Sequence, residues 1–305
     1  MIHTGERYIN PLTDFGFKRI FGTQFNRELL VSFINAVLDG ERVVEEVEYS
    51  NSEKFGSNEA ARKAIFDVYC KTPEGSRFIV EMQNVYQEFY KDRSIYYSTF
   101  PIAEQAEKGD WNYELKDVYT IGILNFSFPE DKQSGSDGIF REVKLMDIDK
   151  KEIFYDKLTY IYIELANFHK EIEDCTTLLD KWLFCLKNLQ NLLERPSELQ
   201  GRVFERLFRT AEISKFKPQE LKAYEQSVYA YRDIKNGIDT AKREGEAKGR
   251  KEGREEGLKE GREEGREEGR AKEKIETAQR MKAEGMDLSL IAKFTGLSVE
   301  EIAKI

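Results

Sequence analysis

A single turn constrains this chain more than any other feature. Within "AIFDVYCKTPEGSRFIVEMQ", Ala64 to Gln83, the residues Thr72-Pro73-Glu74-Gly75 put proline second and glycine fourth, the signature of a type I turn. A left-handed glycine after such a turn gives a three-residue hairpin loop with a G1 bulge. That loop sets a register in which Thr72 pairs with Ser76 and Asp67 stands opposite Glu81. A four-residue loop would pair Thr72 with Arg77 and put Asp67 opposite Met82. Side chains alternate along a strand, so a one-residue slip reverses every face. The apolar pattern favours the first register, gathering Ala64, Phe66, Val68, Cys70, Phe78, Val80 and Met82 on a core face. The other face collects Lys63, Ile65, Asp67, Tyr69, Lys71, Arg77, Ile79, Glu81 and Gln83, and is expected to be partly wet.

Two carboxylates opposed across a strand pair have Cβ atoms ~5 Å apart and repel each other. Two arrangements answer the repulsion. Either Lys63, Lys71 and Arg77 neutralise a solvated face, or a hard divalent cation sits between the acids. Mg²⁺ binds through one or two carboxylates and keeps several waters. Gln83, one pleat repeat beyond Glu81, would point to the same side.

Around the hairpin the periodicities predict a helix–strand mixture. "INPLTDFGFKRIFG" carries a cap, Thr13 or Asp14, and a short apolar stripe; "NRELLVSFINAVLDG" is helical and stops at Asp39-Gly40. "RVVEEVEYS" is strand-like, and "NSEKFGSNEAA" is a polar connection. "QEFYKDRSIYYSTFPIAEQAEKGDW" is helical, with Phe89, Ile95, Tyr96 and Ile102 as expected inner residues, Pro101 as a kink and Gly109 as the stop. "KDVYTIGILNFSF" reads as a central strand covered on both faces. "DKQSGSDG" is a loop, "REVKLMDI" and "LTYIYIEL" are further strands, and from about Cys175 the pattern is helical. This order predicts an α/β core with a mixed sheet, not a repeated βαβ array.

Composition narrows the function classes. The formal charge is -9, and residues 241–305 carry sixteen acidic and sixteen basic side chains, so the deficit lies in residues 1–240. No broad basic footprint is present, although a cleft can carry a local field opposed to the net charge. Cys70, Cys175 and Cys185 lie in apolar contexts without a C-x-x-C pair and are expected to be buried thiols. The two histidines, His3 and His169, do not suffice for a His-rich zinc site. "MIHTGERYINP" is not a signal peptide, and no apolar run is long enough to span a membrane. A soluble, cytoplasmic protein is the expectation.

The carboxylate strand, short turn and Glu-x-Gln strand resemble the PD-(D/E)xK nuclease superfamily. "LTDFGFKRIFG", "LLVSFINAVL" and "GDWNYELKDVYTIGILNFSF" narrow the likeness to its recombination-promoting nuclease and transposase family, best from about Tyr8 to Phe128. The resemblance implies a restriction-endonuclease-like core and a DNA endonuclease using Mg²⁺ or Mn²⁺. Asp67 and Glu81 would be the metal ligands and Gln83 the third catalytic residue, standing where the superfamily usually has lysine. Glutamine can bond a water or a phosphate oxygen but supplies no charge. Phe66 replaces the usual proline. Asp14 and Lys18, one helical turn apart, and Arg93 on the following helix are candidates for phosphate or DNA contact. The plainer readings are a helix cap, a solvated lysine and a surface ion pair.

The end of the chain is a different polymer. "EGEAKGRKEGREEGLKEGREEGREEGR" repeats glycine every fourth residue from Gly245 to Gly269. Each step advances the glycine stripe ~40° around a helix, and each glycine costs ~1 kcal/mol relative to alanine. Glu263–Arg266 and Glu267–Arg270 pairs return only ~0.2–0.5 kcal/mol each. Close helix–helix packing in an oligomer, or a flexible charged linker, would account for it equally well. "TAQRMKAEGMDLSLIAKFTGLSVEEIAKI" reads as two short helices with a turn at Thr295-Gly296-Leu297 and a capping box from Ser298 to Glu301. It is similar to helix-turn-helix units, but Glu300 and Glu301 suit a protein contact better than a DNA groove.

The expected organisation is a nuclease-like core over 1–170 and a helical extension over 171–240. A glycine-rich charged helix or linker follows over 241–274, and a helix-turn-helix-like hairpin over 275–305. The expected function is Mg²⁺-dependent DNA endonuclease activity linked to recombination or transposition, with homo-oligomers formed through 241–305 and no membrane association. The alternative is a catalytically weak, nuclease-derived binding or assembly protein that works through its tail.

Overall fold

The computed structural model describes residues 5–50, 53–54, 64–106, 111–129 and 138–305. His3, Lys63, Gly109, most of the connection after Ser50 and the loop from Asp131 to Asp137 lie outside them. The chain divides into two compact units, one ending at Arg232 and one starting at Asp233.

The first unit opens with α1 (Asp14–Phe21) and α2 (Arg27–Leu38). Thr13 is the cap of α1, because its hydroxyl accepts the Gly16 N–H at 3.0 Å. Asp14 instead occupies the first turn and pairs with Lys18 at 2.7 Å. A Cβ at Gly16 would overlap the Asn10 carbonyl, so only glycine lets the chain fold this tightly into α1. Strand β1 is only Glu48–Tyr49, much shorter than "RVVEEVEYS" suggests. The Asn35 side chain donates to the Val44 carbonyl and accepts its N–H, taking the place of a ladder partner. The following strands are β2 (Glu53–Lys54), β3 (Ala64–Ile65), β4 (Val68–Lys71) and β5 (Arg77–Gln83). Helix α3 (Tyr90–Ala103) then crosses to β6 (Val118–Leu124), and β7 (Phe140–Asp147) and β8 (Glu152–Glu164) form the last hairpin. Helices α4 (Leu178–Asn188) and α5 (Arg202–Ala211) and the first turns of α6 (Pro218–Ala283) complete the unit.

The main sheet has the order β1-β4-β5-β6-β8-β7. β5, β6 and β8 are mutually parallel and the remaining pairs antiparallel. This is the expected mixed α/β core. β6 is buried along its whole length at the centre. On one face α1, α2, α4, α5 and the start of α6 build a large apolar core around Trp182, whose ring meets Phe21, Phe33 and Phe204. Residues of the expected extension, among them Leu207, Phe208 and Tyr224, thus pack into the same core as α1 and α2. Cys70, Cys175 and Cys185 are buried free thiols.

Helix α3 covers the other face, and here two expectations are corrected. Its inner residues are Tyr90, Ser94, Ser98 and Pro101, while Phe89, Ile95 and Tyr96 are exposed. Two small serines let the helix sit close, and they share hydrogen bonds with the Tyr162 and Tyr160 hydroxyls at 2.7 and 2.8 Å. The tyrosines of β8 therefore need polar partners where helical period alone suggests apolar ones. Phe66 is the second correction. It clusters with Tyr69, Ile79, Tyr97 and Phe100 under α3, not with Val68 and Cys70. The β4–β5 ladder stops at Val68, the chain bends at Asp67, and β3 pairs with β2 in a separate two-stranded sheet. The bend breaks the alternation that would have put Phe66 beside Val68.

In the second unit α6 stays helical to Ala283. Apart from the adjoining residues and the helix's own backbone, no atom of the described residues lies within 4 Å of where a Cβ would sit on any glycine from Gly245 to Gly269. Helices α7 (Leu288–Thr295) and α8 (Val299–Lys304) follow. Gly296 ends α7 in the left-handed region at φ 72°, and Ser298 with Glu301 forms the expected capping box. Ala278, Ile291 and Ile302 close a small core.

Candidate active site

The turn has the geometry its residues specify. Gly75 has φ +97°, its N–H donates to the Thr72 carbonyl at 3.0 Å, and the Thr72 N–H donates to the Ser76 carbonyl at 2.9 Å. The ladder runs Lys71–Arg77, Cys70–Phe78, Tyr69–Ile79 and Val68–Val80. One more step would pair Asp67 with Glu81. The backbone breaks there, and the Asp67 carboxylate takes over: Oδ2 accepts the Met82 N–H at 2.9 Å. The bend thus turns a strand residue into a side-chain cap on the partner strand.

Glu81 is 5% exposed. Burial pushes its carboxyl up to about 8, the Asp67 charge adds to the rise, and Arg93 opposes it. Burial also raises Asp67, while the Met82 N–H and Lys18 pull the other way. Arg93 Nη2 lies 3.3 Å from Glu81 Oε2 and donates to Gln83 Oε1 at 2.9 Å, and Nη1 donates to Gln87 Oε1 at 2.7 Å. Its guanidinium stands 5.1 Å from the Tyr90 ring centre and 5.5 Å from that of Tyr97. Tyr90 reaches this position because its neighbour on β6 is Gly122, opposite Glu81 in the ladder; a Cβ there would overlap the Tyr90 hydroxyl.

Asp67 also lines a cleft of about 800 Å³ with Asp14, Lys18, Arg19, Thr23 and residues of α6 including Gln226 and Ser227. The Ser227 hydroxyl accepts the Phe15 N–H at 3.0 Å and the Tyr224 hydroxyl accepts the Asn10 N–H at 2.9 Å, seating α6 on the entrance to α1. The structure therefore gathers Asp67, Glu81, Gln83 and Arg93, and it brings Asp14 and Lys18 to the cleft that Asp67 lines. Sequence reasoning missed Tyr90, Tyr97 and Gln87. Gln87, which precedes the helix, carries no signal, and the i−3 and i+4 spacing of Tyr90 and Tyr97 to Arg93 is a weak one. The position of α3 over Gly122 made it meaningful.

A divalent ion has a chemically suitable donor set here. Asp67 and Glu81 each commit one oxygen to a partner and keep the other uncommitted among the described residues. Hard cations take such oxygens and complete their shell with water or phosphate. No group of three or more His, Cys, Asp or Glu side chains that could hold a metal occurs among the described residues.

Comparison with known families gives two matches. The family described as PD-(D/E)XK nuclease family transposase matches residues 11–241. The family described as Rpn/YhgA-like nuclease family, C-terminal HTH domain, matches residues 271–305. No curated protein and no solved structure matches the chain.

Proposed function

Since this chain belongs to the PD-(D/E)XK nuclease family transposases over residues 11–241, we propose that it is a divalent-metal-dependent DNA endonuclease acting in recombination or transposition. The observation that carries this reading is the coupling of buried Glu81 to Asp67, each with one oxygen available, beside a cleft lined by Lys18 and Arg19. Asp67 and Glu81 would hold Mg²⁺ or Mn²⁺. Bound there, the ion supplies positive charge to a phosphate and makes a water more acidic. The remaining roles belong to side chains. Gln83 orients a water or phosphate oxygen, and Arg93, bonded to it, supplies the charge that a glutamine lacks. Asp14 holds Lys18 near the cleft mouth, where its ammonium can meet a backbone phosphate.

The terminal helix-turn-helix unit would add a second hold on DNA. We assign residues 1–170 to the catalytic core, 171–240 to its helical layer, 241–274 to an assembly helix and 275–305 to the terminal unit. A cytoplasmic location is part of the same proposal. Among the described residues no helix is long and apolar enough to cross a membrane. The test is plasmid nicking with Mg²⁺ against EDTA. Cleavage should vanish in EDTA and in Asp67→Ala and Glu81→Ala. Metal-dependent cleavage that survives both substitutions would remove these residues from the site.

A further inference from the structure

A second cavity of the first unit, about 500 Å³, opens beside the Asp67 cleft, between α1, the Thr23–Asn26 turn, α2 and α5. Arg19 and Thr23 line both cavities, so the two adjoin at the C-terminal end of α1. The walls carry Arg19, Arg202, Arg206, Arg209 and Lys215 against Glu28 and Glu205. In a chain of net charge -9 this is a local reversal of sign.

The acids that are present hold the cations in place. Glu28 pairs with Arg202 at 3.3 Å and Arg206 at 2.9 Å, Glu220 pairs with Arg19, and Glu212 pairs with Lys215. Arg209 is exposed and has no ion pair or hydrogen bond among the described residues. Arg19 Nε and Thr23 Oγ1 are buried without a hydrogen-bond partner. Both can donate, and both lie in the wall that the two cavities share. On the rim, Phe25 is 79% exposed, with the Arg206 guanidinium 4.4 Å from its ring centre. A rigid aromatic ring left in water beside a cationic groove is what single-stranded nucleic acid stacks on.

We propose that this cavity is a subsite for a single-stranded DNA segment next to the cleaved bond. Arg202, Arg209 and Arg19 hold its phosphates and Phe25 stacks a base. The choice of DNA rests on the nuclease reading above; the cavity chemistry itself requires only an unpaired polynucleotide strand.

Binding of labelled single-stranded and duplex oligonucleotides to the full chain, followed by fluorescence anisotropy in EDTA, tests this without cleavage. The double variant Arg202→Glu/Arg209→Glu should bind single strands roughly tenfold more weakly, and its salt slope should be shallower by about one for each phosphate it no longer holds. Phe25→Ala should weaken single strands more than duplexes, and Glu205→Lys should tighten both. Because the terminal unit can bind DNA too, an iododeoxyuridine-labelled strand should photocrosslink to the peptide containing Phe25. Unchanged affinity in the double variant, or crosslinks confined to residues 271–305, would overturn the subsite. A chain that fails to cleave yet shows the expected binding losses loses the nuclease reading and keeps this one.

Discussion

The two faces of the central sheet are built on opposite principles. The face under α1, α2, α4 and α5 is apolar throughout, with Trp182, Phe21 and Phe33 fully buried and interlocked. The face under α3 is apolar only at its edges. Its centre holds Ser94, Ser98, three tyrosines, Arg93 and the buried Glu81. The first face gains stability from every atom it buries. The second must satisfy each polar group or lose stability. The two faces divide the labour: one holds the fold by apolar packing, and the other carries a buried carboxylate beside its arginine partner.

Cutting into the apolar face should have the largest effect. Trp182→Ala removes a fully buried ring and should cost ~3–5 kcal/mol, read as a lowered denaturation midpoint of the first unit. A loss under ~1 kcal/mol would mean that the apolar face does not dominate.

The next largest effect lies at Glu81 and depends on pH. Its carboxyl is raised from 4.5 to about 8 in the fold, so the folded state binds a proton that the unfolded state has already lost. The stability it contributes is fully present below about 4.5 and disappears as pH rises through about 8. In EDTA, Glu81→Gln should match the parent at pH 4 and exceed it at pH 9 by an amount on the order of a few kcal/mol. Stability curves that run parallel across that window would show that Glu81 is already ionised.

The smallest effect is at Ser94. Replacing it with alanine strands the Tyr162 hydroxyl under α3 and should cost ~1–3 kcal/mol, with Ser94→Thr recovering part of it. If Ser94→Ala is neutral in equilibrium unfolding, the polar centre of that face is looser than its hydrogen bonds suggest.

The same contrast explains what could be read from the residues. The apolar face was legible because hydrophobic period and burial coincide there: the stripes of α1 and α2 and the continuous run of β6 all point where their spacing says. The inner side of α3 was misread for the opposite reason. Its buried serines are matched to tyrosines on β8, 68 and 62 residues away in the chain, and a local window has no access to them. Phe66 was misread because the bend at Asp67 trades a backbone pair for a side-chain bond to Met82.

The terminal tail divides similarly. The Gly296 stop and the Ser298–Glu301 box are local and lie within the six residues from Gly296 to Glu301. The helicity of the glycine ladder was not. Seven glycines facing open space offer no intramolecular packing to account for it.

By itself, then, the sequence determined the hairpin register. Pro73 presets the first turn dihedral and Gly75 alone tolerates the left-handed step, so backbone sterics settle which residues face each other. It also determined the mixed α/β composition, through apolar period. Only the tertiary structure decided that Asp67 and Glu81 share one low-dielectric corner, with Arg93 as their counter-ion and Tyr90 pressed against Gly122. That outcome depends on the approach of α3 to the sheet, a long-range packing event governed by serine–tyrosine pairs and one missing Cβ.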